Sequence, residues 1–173
     1  GLRTAIEMRS QSIEDYLKAI HLLQEKEGVA RTGALASQLG ITAGSVTEMV
    51  KRLAGMSPRL ITYRQHQGVV LTDHGCQAAL AVIRRHRLLE TFLHQVLGLG
   101  WDAVHEEAEV LEHHLSDRMV EAIDRHLDRP RFDPHGEPIP DAAGHVGALQ
   151  AGMRDPLLRV VVPEAAVMDA SEA

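Results

Sequence analysis

Apolar residues that recur at three- and four-residue steps are the feature that most constrains how this chain folds. Such spacing puts apolar side chains on one face of a helix and predicts helices packed against helices. Only 3% of the residues are aromatic, which also favours helix packing over a β-sandwich. The predicted helices are Ser12–Glu25, Thr32–Leu39, one that begins after Thr42, a long one from Thr72 to about Leu97, and two capped by Asp102 and Ser116 that end near Leu127.

The pattern changes between the third and fourth predicted helices. Leu60–Tyr63 and Val69–Leu71 are short β-prone runs on either side of Gly68, which predicts a hairpin. Two short helices joined by a tight turn at Gly40 and followed by a hairpin are typical of a winged helix-turn-helix. The predicted fold class is therefore mainly α, with such a module at its N-terminal end.

The third predicted helix has the residue types that a DNA-reading helix needs. Small polar residues in its first turns let the backbone approach DNA, while longer side chains reach bases or phosphates. The candidate DNA-contacting residues are Thr42, Ser45, Thr47, Glu48, Lys51 and Arg52, with Arg64 on the wing. The alternative is that these residues form solvated polar faces and that Thr42 serves only as a helix cap.

Charge is divided unequally along the chain. The net charge is −6, yet residues 31–90 hold eight Lys and Arg against three Asp and Glu, whereas residues 101–140 hold four against eleven. A basic module followed by an acidic, histidine-containing one suggests an anionic partner for the first and a cation for the second. No apolar run approaches the roughly 20 residues of a membrane span, and a single cysteine excludes an internal disulfide framework. We therefore expect a cytoplasmic protein with no membrane partner.

A candidate metal site lies in the acidic half. On a helix, Glu109, Glu112 and His113 are three and four residues apart and converge on one face, with His105 one turn earlier. Two carboxylates and an imidazole are an incomplete coordination sphere, so further ligands have to come from other helices. Candidates for these are Asp15 and His86, the latter with Glu90 one turn on.

Each of these candidates also has a structural interpretation. Asp15 could complete a capping box with Ser12, because Ser-x-x-Asp is a signature of helix starts. His86 lies on the apolar stripe of the long helix and could be a hydrogen-bonded core histidine. The zinc-protease signature is not met, because His105 and Glu106 are followed by Glu109 where a second histidine is required. No nucleophile or general base is organised around the cluster, so we expect no enzymatic activity.

Six segments in one order carry a resemblance that runs from about Ser12 to Pro140. They are Ile13–Leu17, Gly44–Val50, Arg84–Glu90, Val104–Glu109, Leu111–Asp117 and Asp133–Pro140. In these segments the chain resembles the diphtheria-toxin-repressor and manganese-transport-regulator family of bacterial metal-dependent transcriptional regulators. The resemblance implies a winged helix-turn-helix followed by a helical dimerisation and metal-binding domain.

The same resemblance implies two metal sites. The primary site would consist of Asp15, Glu109, Glu112 and His113, and the ancillary site of His86, Glu90 and His105. Iron-responsive members have Met and Cys at the positions of Asp15 and Glu109, and oxygen donors suit Mn²⁺ better than sulfur does. Mn²⁺ is therefore the expected cofactor and Fe²⁺ the alternative. Manganese regulators have a carboxylate at the position of Lys18, so we expect a manganese-like primary site beside an ancillary site of the iron-regulator type.

The function implied by the resemblance is that of a homodimeric repressor of metal-uptake genes that binds a palindromic operator in double-stranded DNA. A divalent ion that joins Asp15 to the acidic half would remove carboxylate repulsion and order the DNA-binding module in advance. The expected domains are a winged helix-turn-helix at 1–79, the helical domain at 80–140 and a tail at 141–173 with a strand-like run at Leu157–Val162. This tail is shorter than the β-barrel domain that iron-type members carry. A second functional hypothesis is a winged-helix regulator that does not respond to metal, and a third is a metal-dependent hydrolase that uses the same Glu/His cluster.

Overall fold

The mainly α fold class is confirmed in a computed structural model that describes residues 2–146, with side chains from residue 11 onward. None of the helices in this part of the chain combines the length and the apolar character that crossing a membrane requires. The elements in chain order are α1 (Leu2–Glu27), α2 (Thr32–Leu39), α3 (Ala43–Ala54), β1 (Ile61–Arg64), β2 (Gly68–Leu71), α4 (Asp73–Gln95), α5 (Trp101–Leu111) and α6 (Asp117–His126).

Helices α2 and α3 form the helix-turn-helix that the sequence predicts. Gly40 ends α2 with φ 65° and ψ 33°, a left-handed conformation that glycine adopts without strain. Thr42 then caps α3, because its side-chain oxygen accepts a hydrogen bond from the backbone N–H of Ser45. The turn at Gly40 and the cap at Thr42 are therefore confirmed.

The wing is the predicted antiparallel hairpin. Ile61 pairs with Leu71 and Arg64 with Gly68, and Ala30, from the loop before α2, bridges to the second strand. The hairpin packs directly on the start of α4: a Cβ atom on Gly75 would lie 1.8 Å from the carbonyl oxygen of Leu60. Glycine is required at this point of close approach.

Two separate apolar cores lie along α4. The core of the winged module contains Tyr16, Leu17, Ala19, Ile20, Ala30, Leu35, Ala36, Val46, Val50, Leu53, Ile61, Val69 and Ala79. The second core contains Leu88, Leu89, Leu93, Val104, Ala108, Val120, Ile123 and Ile139. Because α4 contributes to both cores, it connects the winged module to the acidic half.

Three local predictions are wrong. Helix α1 begins at Leu2, so Ser12 lies inside the helix and cannot form a capping box with Asp15. Gly100, not Asp102, is the N-cap of α5, and Asp102 lies in the first turn, where its charge still interacts favourably with the helix dipole. Helix α5 ends at Leu111, so the two ligand candidates that follow Leu111 lie just beyond the helix. The run Leu157–Val162 and most of the predicted tail fall outside the described residues.

Candidate metal centre

One face of α1 supplies three charged side chains to the centre. Tyr16 and Leu17 point into the core of the winged module, whereas Glu14, Asp15 and Lys18 contact residues of α4, of α5 and of the turn after α5. Helix α1 therefore contributes both to the core of the DNA-binding module and to the candidate site.

Asp15, Glu112 and His113 form the first group of donor atoms. One atom of each residue lies within 4.8 Å of the others. The Nε2 atom of His113 is 2.8 Å from Oδ1 of Asp15 and 3.6 Å from Oε1 of Glu112. The Glu112 side chain is fully buried, while that of Asp15 is 40% exposed. This group joins α1 to the turn that follows α5.

His86, His105 and Glu109 form the second group, again with one donor atom of each within 4.8 Å of the others. Glu90 is bonded to both histidines: its Oε1 atom is 3.1 Å from Nε2 of His86 and 3.0 Å from Nδ1 of His105. These residues line an open groove of about 520 Å³, so an ion can reach this group from solvent.

Lys18 connects the two groups. Its ammonium donates to Oε1 of Glu109 at 2.8 Å and to Oε1 of Glu112 at 2.7 Å. The resemblance placed Glu109 with Glu112 in a primary site, but here donor atoms of Glu109, His86 and His105 lie within 4.8 Å of one another, with 3.5 Å between Oε1 of Glu109 and Nε2 of His105. The structure thus brings all seven candidate ligands into one network and groups Glu109 with the histidines of α4 and α5.

The electrostatics of the network favour the charged form of the His86 imidazole. Burial of His86 opposes its charged form, but hydrogen bonds to Glu112 and Glu90 outweigh this effect and raise its pKa to about 9. Burial likewise acts to raise the pKa of Glu90, yet its bonds to His86 and His105 bring that pKa to about 2. His86 is therefore a buried histidine whose partners are carboxylates on two different elements, rather than one paired with a neutral core group.

His113 is held from both sides of its ring. Hydrogen bonds to Asp15 and Glu14 raise its pKa to about 9, against the effect of burial. Burial acts to raise the pKa of Glu14, but its contacts with His113 and Arg85 lower it. Glu14 and Arg85 were not among the predicted site residues. The signal available for Glu14 was its position beside Asp15 in an acidic pair on the same helix.

The donor atoms fit a divalent first-row transition ion. Carboxylate oxygens and imidazole nitrogens are ligands that Mn²⁺ and Fe²⁺ accept, and both groups contain them without a thiolate. Three donor atoms converge in each group from at least two elements of the fold. The network contains five carboxylates, and its cationic groups are Lys18, Arg85 and the charged forms of His86 and His113.

The candidate DNA-contacting residues lie on a separate surface. All seven are exposed except Thr47, which is half-buried. The hydroxyl of Thr47 donates to the carbonyl of Ala43, and the hydroxyls of Thr42 and Ser45 are 2.9 Å apart. The side chains of Lys51 and Arg52 at the end of α3 and of Arg64 at the end of β1 are therefore exposed to solvent.

Comparison with known proteins gives the same two-part organisation. Residues 8–69 match the family model described as iron dependent repressor, N-terminal DNA binding domain. Residues 72–141 match iron dependent repressor, metal binding and dimerisation domain. The HTH-type transcriptional regulator MntR of Bacillus subtilis is 34% identical over 116 residues, which cover 67% of this chain and 80% of that protein.

Solved structures are also similar. A manganese-dependent transcriptional repressor in complex with manganese is 48% identical with a TM-score of 0.71, covering 78% of this chain and 61% of that one. The manganese regulator SloR is 40% identical with a TM-score of 0.67, covering 77% of this chain and 60% of that one. The chain thus spans about three fifths of the length of these solved proteins.

Proposed function

Because the chain belongs to the iron-dependent repressor family of DNA-binding, dimerising, metal-dependent transcriptional regulators, we propose that it is a Mn²⁺-activated repressor. The observation that carries this proposal is the contact between Asp15 on α1 and His113 after α5, at 2.8 Å. It places donor atoms from the DNA-binding module and from the acidic half at one point.

The activating ion would be held by Asp15, Glu112 and His113. A second ion would be held by His86, His105 and Glu109, and Glu90 is hydrogen-bonded to both of these histidines. The bound ion supplies positive charge that carboxylates on different elements share. Two features favour Mn²⁺ with Fe²⁺ as the alternative: the donors are oxygen and imidazole nitrogen, and a similar solved protein is a manganese-dependent repressor.

Metal acts through the position of α1. Tyr16, Leu17 and Ile20 bury one face of this helix in the core beneath the DNA-reading helix α3, while Asp15 on its other face meets His113. If Asp15 and Glu112 held one ion, the repulsion between their carboxylates would be removed and the winged module would be ordered against the acidic half. DNA then binds a module that is already ordered, so its affinity rises.

The DNA contacts that we propose come from α3 and the wing. Thr42, Ser45, Thr47, Glu48, Lys51 and Arg52 would enter the major groove, and Arg64 would contact phosphate. We place the division between the DNA-binding domain (1–79) and the helical domain (80–140) within α4, since Ala79 belongs to the first core and Leu88 to the second.

The homodimer that we propose reads the two halves of a palindromic operator, with one recognition helix in each half. Support comes from large apolar side chains left exposed on the acidic half, since such side chains often mark an interface. They are Val96, Leu97, Trp101, Val110, Leu111 and Met119. The expected location of this regulator is the cytoplasm, where its operator lies, with metal-uptake genes as its targets.

The test uses a DNA duplex selected from a random-sequence library with the Mn²⁺-loaded full chain. Fluorescence anisotropy then measures binding of that duplex with Mn²⁺ and after its removal by a chelator. We expect binding to weaken at least tenfold without Mn²⁺, and Asp15→Ala and Glu112→Ala to bind weakly in both conditions. Glu106→Ala is the matched control, because Glu106 is an exposed carboxylate on α5. Equal affinity with and without Mn²⁺ would favour a winged-helix regulator that does not respond to metal.

A further inference from the structure

Glu48 is the only acidic residue in the segment that forms α2, α3 and the wing. Residues 31–72 contain five Lys and Arg and no other Asp or Glu. Within the described part of the chain, the Glu48 carboxylate accepts no hydrogen bond and forms no ion pair. The fold of the winged module therefore gives this negative charge no partner of its own.

The position of Glu48 is the centre of the exposed face of α3. The buried side chains of this helix all belong to the opposite face, in the core of the winged module. On the exposed face, Gly44 lies one turn before Glu48 and Arg52 one turn after it, since residues four apart are neighbours on a helix surface. A duplex that meets this face of α3 therefore meets Glu48 at its middle.

Gly44 shows that another molecule approaches the helix beside Glu48. Glycine destabilises a helix relative to alanine, so a glycine in the first turn needs a reason. The backbone of Gly44 is not left-handed, and a Cβ atom there would meet nothing within 4 Å. The fold does not require this glycine. Close approach of a DNA surface to the backbone does, because a side chain would fill that space.

The chemistry of a carboxylate limits what Glu48 can bind in DNA. Phosphates repel it, and an ionised carboxylate only accepts hydrogen bonds. The donors that bases present in the major groove are the amines of cytosine and adenine. Adenine also presents its N7 acceptor beside the amine, which suits an amide and repels a carboxylate, whereas cytosine presents only its N4 amine. Cytosine is therefore the base that matches Glu48.

We propose that Glu48 is a specificity-determining residue of this regulator: it accepts a hydrogen bond from the N4 amine of a cytosine in each half of the operator. Repulsion between Glu48 and phosphate weakens binding to every duplex, but the hydrogen bond forms only where cytosine is correctly placed. Glu48 thus lowers non-specific affinity more than specific affinity. This inference rests on the proposed contacts of α3 with the major groove.

The experiment selects duplexes from a random-sequence library with the Mn²⁺-loaded full chain and with variants of it. The wild type should select cytosine at one position of each half-site. Glu48→Gln presents an amide that both donates and accepts, so the selected base at that position alone should change from cytosine to adenine. Glu48→Ala should show no preference there. Both variants should fold, because Glu48 is exposed and has no partner in the described structure.

Glu27→Gln is the matched control. Glu27 is an exposed carboxylate at the end of α1, so its loss removes the same charge from the winged module at a distance from α3 in the sequence. The control should select the wild-type sequence.

Fluorescence anisotropy then compares the selected duplex with one that carries a T·A pair in place of the C·G pair. Thymine presents an acceptor in place of the amine, so the wild type should bind the second duplex at least about fivefold more weakly. Glu48→Ala should bind the two duplexes within about twofold of each other. It should also bind a scrambled duplex more tightly than the wild type does, because the repulsion is gone.

The outcomes separate this inference from the proposed function. Selection of one sequence by the wild type and by both Glu48 variants would leave the proposed function intact and show that Glu48 reads no base. The inference is also wrong if the position that changes is not a cytosine in the wild-type selection. A wild type that selects no sequence with Mn²⁺ would overturn the proposed function and this inference with it.

Discussion

Glu14 lies 2.9 Å from the Nδ1 atom of His113, on the opposite side of the ring from the Nε2 atom that faces Asp15. An ionised carboxylate only accepts hydrogen bonds, so Nδ1 donates to it and the ring orientation is fixed. Arg85 on α4 donates to the same Glu14 oxygen at 2.9 Å. Glu14 thus positions His113, a candidate metal ligand, and Arg85 of α4 in turn holds the Glu14 carboxylate.

Glu14→Ala should therefore weaken Mn²⁺ binding by about 10- to 100-fold, the usual cost of losing a partner that orients a metal-binding histidine. Isothermal titration calorimetry with Mn²⁺ measures the effect. Glu27→Ala removes an exposed carboxylate from the end of the same helix and is the control. Equal affinities of the two variants would show that Glu14 does not orient His113.

Removal of metal should lower the free energy of unfolding. A ligand that binds only the folded state stabilises it by about 2.7 kcal/mol when its free concentration is 100 times its dissociation constant. Urea unfolding with saturating Mn²⁺ and with a chelator measures this difference. Asp15→Ala should lose much of it, because the link between α1 and the turn after α5 is broken. A stabilisation by Mn²⁺ that Asp15→Ala retains in full would place the ion elsewhere.

The network around His86 shows how far the sequence predicts the site. Spacing predicted that Glu109, Glu112 and His113 share one face of a helix. The structure brings Glu109 near His86 and His113 near Asp15, although His113 lies beyond the helix. Spacing could not predict that α5 ends at Leu111, since no glycine or proline marks that end. Once the chain leaves the helix, His113 turns toward α1 while Glu109 stays with His105.

The fold was more predictable than the site because local signals determine most of it. The residue types at Gly40 and Thr42 are enough to predict the turn before α3 and the N-cap of α3 from the sequence. The start of α1 was missed because Ser12 and Asp15 imitate a helix start. The contacts of Lys18 join residues 91 and 94 positions apart, and no local pattern specifies them.

Lys51→Ala should weaken DNA binding without destabilising the fold. Lys51 is exposed in the last turn of α3, where its ammonium is free to contact phosphate. Loss of one phosphate contact should also reduce the slope of log affinity against log salt by about one. Anisotropy titrations at several salt concentrations measure both effects, with Lys26→Ala as the control. An unchanged slope would show that Lys51 does not contact a phosphate of the DNA.

The ion pair between Arg84 and Asp124 should be important for stability. Their atoms are 3.0 Å apart, both side chains are at most 10% exposed, and Arg84 also donates to the carbonyl of Pro140. Asp124→Ala leaves a buried guanidinium without its carboxylate and should cost about 3–5 kcal/mol. Glu121→Ala, on the same helix, removes an exposed partner of Arg129 and should cost less than about 1 kcal/mol. Urea unfolding compares them, and similar losses would contradict the argument.

Asp133 should make stability depend on pH. Its Oδ1 atom accepts the backbone N–H groups of His135 and Glu137, but its Oδ2 atom is buried with no partner among the described residues. Burial, with help from the nearby charge of Glu137, raises the pKa of this carboxyl above its ordinary value of 3.8. The folded state therefore binds the proton more tightly than the unfolded chain does, so wild-type stability falls as the pH rises through the raised pKa.

Asp133→Asn keeps an oxygen for both N–H groups and lacks this titration. Urea unfolding measures the free energy of unfolding of both proteins at each pH. The value for the variant minus the value for the wild type should be larger at pH 7 than at pH 4. A stability difference that does not change between these pH values, or that changes in the opposite direction, would show that the Asp133 carboxylate is not penalised by its burial.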